Sequence, residues 1–157
     1  GSIGGAFKLT KGGPGLGTLI LDAANTYNGG TFLSSGILIA NKDGALGTGN
    51  VSLTAGFVTL TLQNGAINNY IADSATLSYV STDIINLTYT GTDIVTGLTV
   101  DGVAQAAGVY GATAINPDGV FTGSGTITVV PEPTTVAMMV LGGSLLVGMQ
   151  RFRRKLR

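Results

Sequence analysis

The constraint that governs this chain is a rhythm of very short alternating segments. Seven runs in residues 1–130 set apolar residues against small polar ones: Thr18-Leu19-Ile20-Leu21, Gly36-Ile37-Leu38-Ile39, Val51-Ser52-Leu53, Val58-Thr59-Leu60-Thr61-Leu62, Ile85-Asn86-Leu87-Thr88-Tyr89, Leu98-Thr99-Val100 and Thr126-Ile127-Thr128-Val129. In the clearest of them Val58, Leu60 and Leu62 share one face, and Thr59 and Thr61 share the other. A period of two over three to five residues is the mark of half-buried strands. Between the runs lie turn formers: Asn28-Gly29-Gly30, Lys42-Asp43-Gly44, Asn64-Gly65 and Pro117-Asp118-Gly119. No stretch before Pro131 keeps a 3.6-residue period without an interrupting glycine, so the body is expected to be all-β. Its 26 glycines and 10% charged residues would fit a disordered chain, but a 44% hydrophobic fraction supplies the material of a core.

There is no cysteine, histidine or tryptophan. Covalent staples are therefore not available, and the fold must rest on packing and backbone ladders. Zinc-type metal sites and thiol or imidazole nucleophiles are excluded within these residues. Asp83 and Asp93 stand in the related contexts Thr82-Asp83-Ile84 and Thr92-Asp93-Ile94. They could in principle act as the paired acids of a glycosidase, but beside turns Asp more commonly bonds backbone groups. Asn41-Lys42-Asp43-Gly44 and Asn116-Pro117-Asp118-Gly119 lack the successive oxygen ligands of a calcium loop and read as turns. Lys11-Gly12-Gly13-Pro14-Gly15-Leu16-Gly17 lacks the closing Gly-Lys-Ser/Thr of a phosphate loop. Neither a catalytic residue, nor a metal, nor a cofactor is expected.

Charge is unevenly placed. Residues 1–133 hold three basic residues, Lys8, Lys11 and Lys42, against all eight acidic ones, whereas the remaining five basic residues close the chain. Those five, Arg151, Arg153, Arg154, Lys155 and Arg157, follow an uncharged run from Val136 to Met149, itself preceded by Pro131-Glu132-Pro133. A helix over residues 134–150 would be about 25 Å long, against ~30 Å of bilayer hydrocarbon, and would span marginally. Basic residues directly behind an apolar segment stay in the cytoplasm, which puts residues 1–130 across the membrane. Abutting an apolar run with no interleaved aromatics, the arginines do not describe a nucleic-acid surface.

The order Pro-Glu-Pro, short apolar helix, arginine cluster in residues 131–157 resembles the PEP-CTERM sorting signal of exopolysaccharide-producing Gram-negative bacteria. That resemblance implies recognition of Pro131, Glu132 and Pro133 by a membrane-embedded exosortase, and passage to the cell surface or matrix. A plain single-pass anchor is the rival reading of the same hydropathy. Within residues 9–56, Leu9-Thr10-Lys11, Gly15-Leu16-Gly17-Thr18-Leu19-Ile20-Leu21, Asn25-Thr26-Tyr27-Asn28-Gly29-Gly30-Thr31, Gly36-Ile37-Leu38 and Ala45-Leu46-Gly47-Thr48-Gly49 resemble the autotransporter-associated β-strand repeat, also called the passenger-associated transport repeat. This implies coils of a right-handed parallel β-helix and settles a choice that strand lengths alone leave open between sandwich and solenoid. In such a helix Leu19 and Leu21 are expected to stack in the lumen over Ile37 and Ile39, while Asn25 and Asn28 ladder or satisfy turn backbone groups. Residues 97–111 resemble, more distantly, segments that precede such sorting signals.

The resulting expectation has three parts: β-helix coils over residues 1–76, last coils and a β cap over 77–130, and a sorting and anchor segment with a single transmembrane helix over 131–157. Since one coil cannot bury its own lumen and Gly1-Ser2-Ile3 opens no signal peptide, further coils and a leader are expected upstream. The function expected is that of an exported structural or adhesive surface protein whose partners are an exosortase, the membrane and surface carbohydrate such as exopolysaccharide. An alternative is the C-terminal portion of a polysaccharide-acting enzyme with its active site on upstream coils. A passenger of an autotransporter is a third, weakened by the absence of the alternating apolar strands of a membrane barrel.

Overall fold

The computed structural model describes residues 1–130. They form a parallel β-solenoid of about four turns in which each coil adds one strand to each of two long sheets. The first sheet stacks β2 (Leu9–Lys11), β5 (Thr31–Leu33), β7 (Val51–Leu53), β9 (Thr76–Tyr79) and β12 (Gly97–Val100) in parallel. The second stacks β3 (Thr18–Leu21), β6 (Ile37–Ala40), β8 (Thr59–Leu62), β10 (Ile84–Leu87) and β15 (Phe121–Gly123). A third side is built from β1 (Gly4–Gly5) on β4 (Thr26–Tyr27) at one end and β11 (Thr92–Val95) on β16 (Thr126–Val129) at the other. Between these two short sheets it consists of loops.

Strand alternation becomes a lumen because stacking is in register. Leu19, Leu38, Leu60, Ile85 and Phe121 form one inward ladder, and Leu9, Thr31, Val51, Leu77 and Leu98 face it from the other sheet. All but the first residue of each ladder are buried. Thr31 interrupts the apolar column without an orphaned hydroxyl. Its Oγ1 donates to the Leu46 carbonyl at 2.9 Å and pairs with the Tyr27 hydroxyl at 2.6 Å, which meets the requirement that a buried polar group find a partner. Toward the last coil the lumen turns aromatic, with Tyr79 edge-on to Phe121 at 5.5 Å between ring centroids. Among the described residues the buried Tyr79 hydroxyl has no hydrogen-bond partner.

One register expectation is corrected. Leu19 and Leu21 lie over Leu38 and Ala40, both fully buried, and it is Ile37 and Ile39 that turn outward beneath Thr18 and Ile20. Ile37-Leu38-Ile39-Ala40 is apolar at every position, so its pattern cannot say which pair faces in, and a one-residue slip exchanges the two faces. Packing decides it. The Leu60 of the next strand, flanked by Thr59 and Thr61, fixes the inward phase and imposes it on Leu38 through the ladder.

The coils are not of equal length. Hydrogen bonds between successive coils join residues 19 apart at Asp22 and Asn41, 22 apart at Asn41 and Gln63, 25 apart at Val58 and Asp83, and 36 apart at Asn86 and Thr122. The last increment accommodates two reversed strands. β13 (Val103–Ala104) pairs antiparallel with β12, and β14 (Gly108–Tyr110) pairs antiparallel with β16, so the first long sheet and the short β11–β16 sheet end against strands running the other way, while the second long sheet ends on parallel β15. A single 3-10 turn over Pro117–Gly119 completes the insertion.

Candidate functional site

The acidic residues include the pair that the sequence raises as possible catalytic acids, and most of them lie at the corners of the coils. Asp83 is buried and accepts backbone N–H groups from Val58 of the preceding coil at 3.2 Å and from Val80 at 2.9 Å. Asp93, 1% exposed, accepts Tyr70 and Ile71 N–H on one oxygen, each at 3.1 Å, and Ile94 N–H on the other at 2.9 Å. Both carboxylates thus bond backbone from within the wall of the solenoid. As a pair of acids facing a substrate they are not arranged: Asp83 turns toward the corner before β10, and Asp93 turns toward the loop before β9.

The same device recurs at positions that pattern reading passes over. Asp43, in the Lys42-Asp43-Gly44 turn, holds the loop one coil further on through N–H groups of Ala66, Ile67 and Asn69. Asp101 accepts Ser81 N–H, and Asn50 accepts Thr76 N–H. Asn25, buried, spans three coils: its Oδ1 takes Ile3 N–H at 2.7 Å and its Nδ2 donates to the Ala45 carbonyl at 2.6 Å. Asn25 therefore satisfies turn backbone groups, as its place in the repeat implies. Outside the wall, Asn41 donates to Asp22 and accepts from Gln63 and Asn64, a polar ladder climbing three coils.

These staples explain how the loop-built third side stays closed. Where no strand ladder runs, backbone N–H groups still require acceptors, and a carboxylate or carboxamide reaching from the neighbouring coil supplies them. The electrostatic outcome differs with depth. Burial works to raise the Asp43 carboxyl, but the backbone N–H groups around it outweigh that and hold it below the usual carboxylate range. At Asp93 burial wins and pushes the carboxyl up to about 7 against its three N–H partners, with the charge of Asp73 adding to the rise.

A groove of about 340 Å³ opens on the third side, lined by Asn25, Asp43, Ile67, Asn69, Ala72 and Asp73 among others. Both oxygens of Asp43 are engaged with backbone, which leaves Asp73 as its one uncommitted carboxylate. Among the described residues no three His, Cys, Asp or Glu side chains come together in a way that could hold a metal ion. Nor, among them, is any helix long and apolar enough to cross a membrane. The sequence-derived sorting residues Pro131, Glu132 and Pro133, the expected transmembrane helix, and the basic cluster Arg151, Arg153, Arg154, Lys155 and Arg157 lie outside the described residues.

The described residues are thus a parallel β-solenoid stapled coil to coil by Asp and Asn side chains. Two similarities to known proteins accompany this architecture. Residues 129–155 match the family model for the PEP-CTERM protein-sorting motif, and the chain carries that motif. Across 93% of its length the chain is similar, at 32% identity, to the adhesin BmaC autotransporter of Brucella suis biovar 1 (strain 1330). It spans 4% of the length of that adhesin. No solved structure matches the chain.

Proposed function

We propose that this chain is a structural or adhesive element of the bacterial cell surface or exopolysaccharide matrix, a right-handed β-helix delivered there through its PEP-CTERM segment. An exosortase recognises Pro131, Glu132 and Pro133 while residues 136–149 sit in the inner membrane and Arg151–Arg157 hold the C-terminus on the cytoplasmic side. The solenoid works without catalysis, as a stiff display surface. Residues 77–130 act as the cap, and their reversed strands cover the edges of β12 and β16 against pairing with other chains.

The observation that carries this reading is the pairing of a sorting motif at residues 129–155 with a body whose buried carboxylates are committed to backbone N–H groups. Similarity to an adhesin supports the adhesive side of it. To test the sorting step, Glu132→Ala and a chain lacking residues 151–157 are expressed in the native host and followed by cell fractionation and intact mass. Arrest in the inner membrane at precursor mass is expected for both. Normal maturation of Glu132→Ala would sink the assignment of Pro131, Glu132 and Pro133.

A further inference from the structure

We propose that the outer face of the three-stranded sheet formed by β11, β16 and β14 is a lipid-contacting surface, seated on the headgroups of the membrane that holds the precursor. The inference rests on the anchoring reading above and deepens it by naming which side of the solenoid meets the bilayer. Chain length supplies the first argument. Only residues 131–135 separate Val130 from the uncharged run that begins at Val136, and five residues reach at most about 17 Å even when fully extended. Roughly 6 Å of that is the headgroup layer itself. Val130, 48% exposed, directly follows β16, so the sheet containing β16 is held within about one strand length of the lipid.

The chemistry of this face fits such a neighbour. Its outward positions are Thr92 and Ile94 on β11, Thr126 and Thr128 on β16 and Val109 on β14, with Ile94 and Val109 both standing beside Thr128. Ile94 is 40% and Val109 44% exposed. The ionisable groups of the three strands, Asp93 and Tyr110, both point inward and are buried. The threonine hydroxyls are already spent: Thr92 and Thr128 pair at 2.8 Å, and Thr126 donates to the Gly91 carbonyl at 3.0 Å. Displacing water from such a face leaves no charge and no bare hydroxyl to desolvate, while covering Ile94, Val109 and Val130 is favourable. The acidic body as a whole is repelled by an anionic membrane surface, and an uncharged face is the side on which approach costs least.

The chain has no cysteine, so single labels can be placed at will. Full-length Val109→Cys and Ile94→Cys chains carry an environment-sensitive fluorophore, and Thr10→Cys, outward on β2 at the far end of the solenoid, is the control. Each is reconstituted into vesicles of phosphatidylethanolamine and phosphatidylglycerol, and flotation reports whether the protein is membrane-bound. Blue-shifted emission and quenching by headgroup-region nitroxide lipids are expected at positions 94 and 109, with water-like emission at position 10. Bound protein whose labels at 94 and 109 match that at 10 overturns the inference and leaves the anchor intact. Protein that does not float overturns the anchor, and the inference falls with it.

Discussion

Replacing Asp93 with asparagine converts a buried titrating staple into a neutral one, and the structure fixes the sign and size of the result. The Asp93 carboxyl titrates near 3.8 when the chain is unfolded and near 7 when folded, because burial disfavours its ionised form. Below pH 3.8 both states are protonated and the group contributes no pH dependence. Between the two values the unfolded chain has released the proton and the folded chain retains it, so stability falls as pH rises, by about 1.4 kcal/mol per pH unit. The fall ends near pH 7 after a total of about 4 kcal/mol. The asparagine of the variant does not titrate, and its carboxamide oxygen still accepts the Tyr70 and Ile71 N–H groups, but its Nδ2 replaces the oxygen that accepted Ile94 N–H. At pH 4 the Asp93→Asn protein should be the less stable by about 1–3 kcal/mol, the cost of a buried N–H left without an acceptor. At pH 8 the loss of about 4 kcal/mol in the wild type exceeds that cost, so the variant should be the more stable by about 1–3 kcal/mol and the two stability curves cross. Urea unfolding at half-unit steps from pH 4 to 8, followed by circular dichroism, measures both curves, and carbon-detected NMR of the Asp93 carboxyl reads its titration directly. Parallel curves, or a carboxyl that titrates below pH 5, would refute the reasoning that burial outweighs the three N–H donors.

Other substitutions probe the lumen and the corners. Tyr79→Phe removes a buried hydroxyl that has no partner among the described residues, and thermal unfolding should show an unchanged or slightly higher midpoint, since desolvating that hydroxyl costs about 1–3 kcal/mol. Leu38→Ala should cost about 2–5 kcal/mol in denaturant unfolding, whereas Ile39→Thr, on the outward row, should cost less than about 1 kcal/mol; equal losses would contradict the register. Gly47→Ala places a Cβ at a residue with φ of 72° and 2.5 Å from the Tyr27 carbonyl oxygen. A loss above about 2 kcal/mol is expected from left-handed strain and the backbone clash together.

The parts of the fold that announce themselves in the sequence are those in which polar and apolar residues alternate without ambiguity. Val58-Thr59-Leu60-Thr61-Leu62 states its inward face outright, and the glycine corners with the residue 9–56 repeat make the parallel stacking legible. Where alternation is broken the signal fails for identifiable reasons. Thr31 faces the lumen, held there by Leu46 and Tyr27, so the strand Thr31-Phe32-Leu33 presents a polar residue at a core position. Ile37-Leu38-Ile39-Ala40 presents no polar residue at all. The third side is the least legible, because its order comes from side chains bonding backbone 20 or more residues away, as Asp43 does with Ala66 and Asp101 with Ser81. Such bonds leave no local period. They do leave a trace in residue type, since Asp or Asn beside a turn is where each staple begins, and Asp83 and Asp93 are readable as backbone acceptors on that ground. The reversed strands β13 and β14 give no sign in sequence of which way they run.

The last coil also determines how the solenoid withstands tension. β16 is the strand from which the sorting segment leaves, and it is gripped on both sides, parallel by β11 and antiparallel by β14. A pull on the tail travels along the axis of β16, at right angles to its hydrogen bonds, so it strains two rows of bonds in shear at once and cannot peel them open singly. A strand flanked only once would meet the same pull with a single row. The fold thus doubles the grip on the strand that leads into the sorting segment.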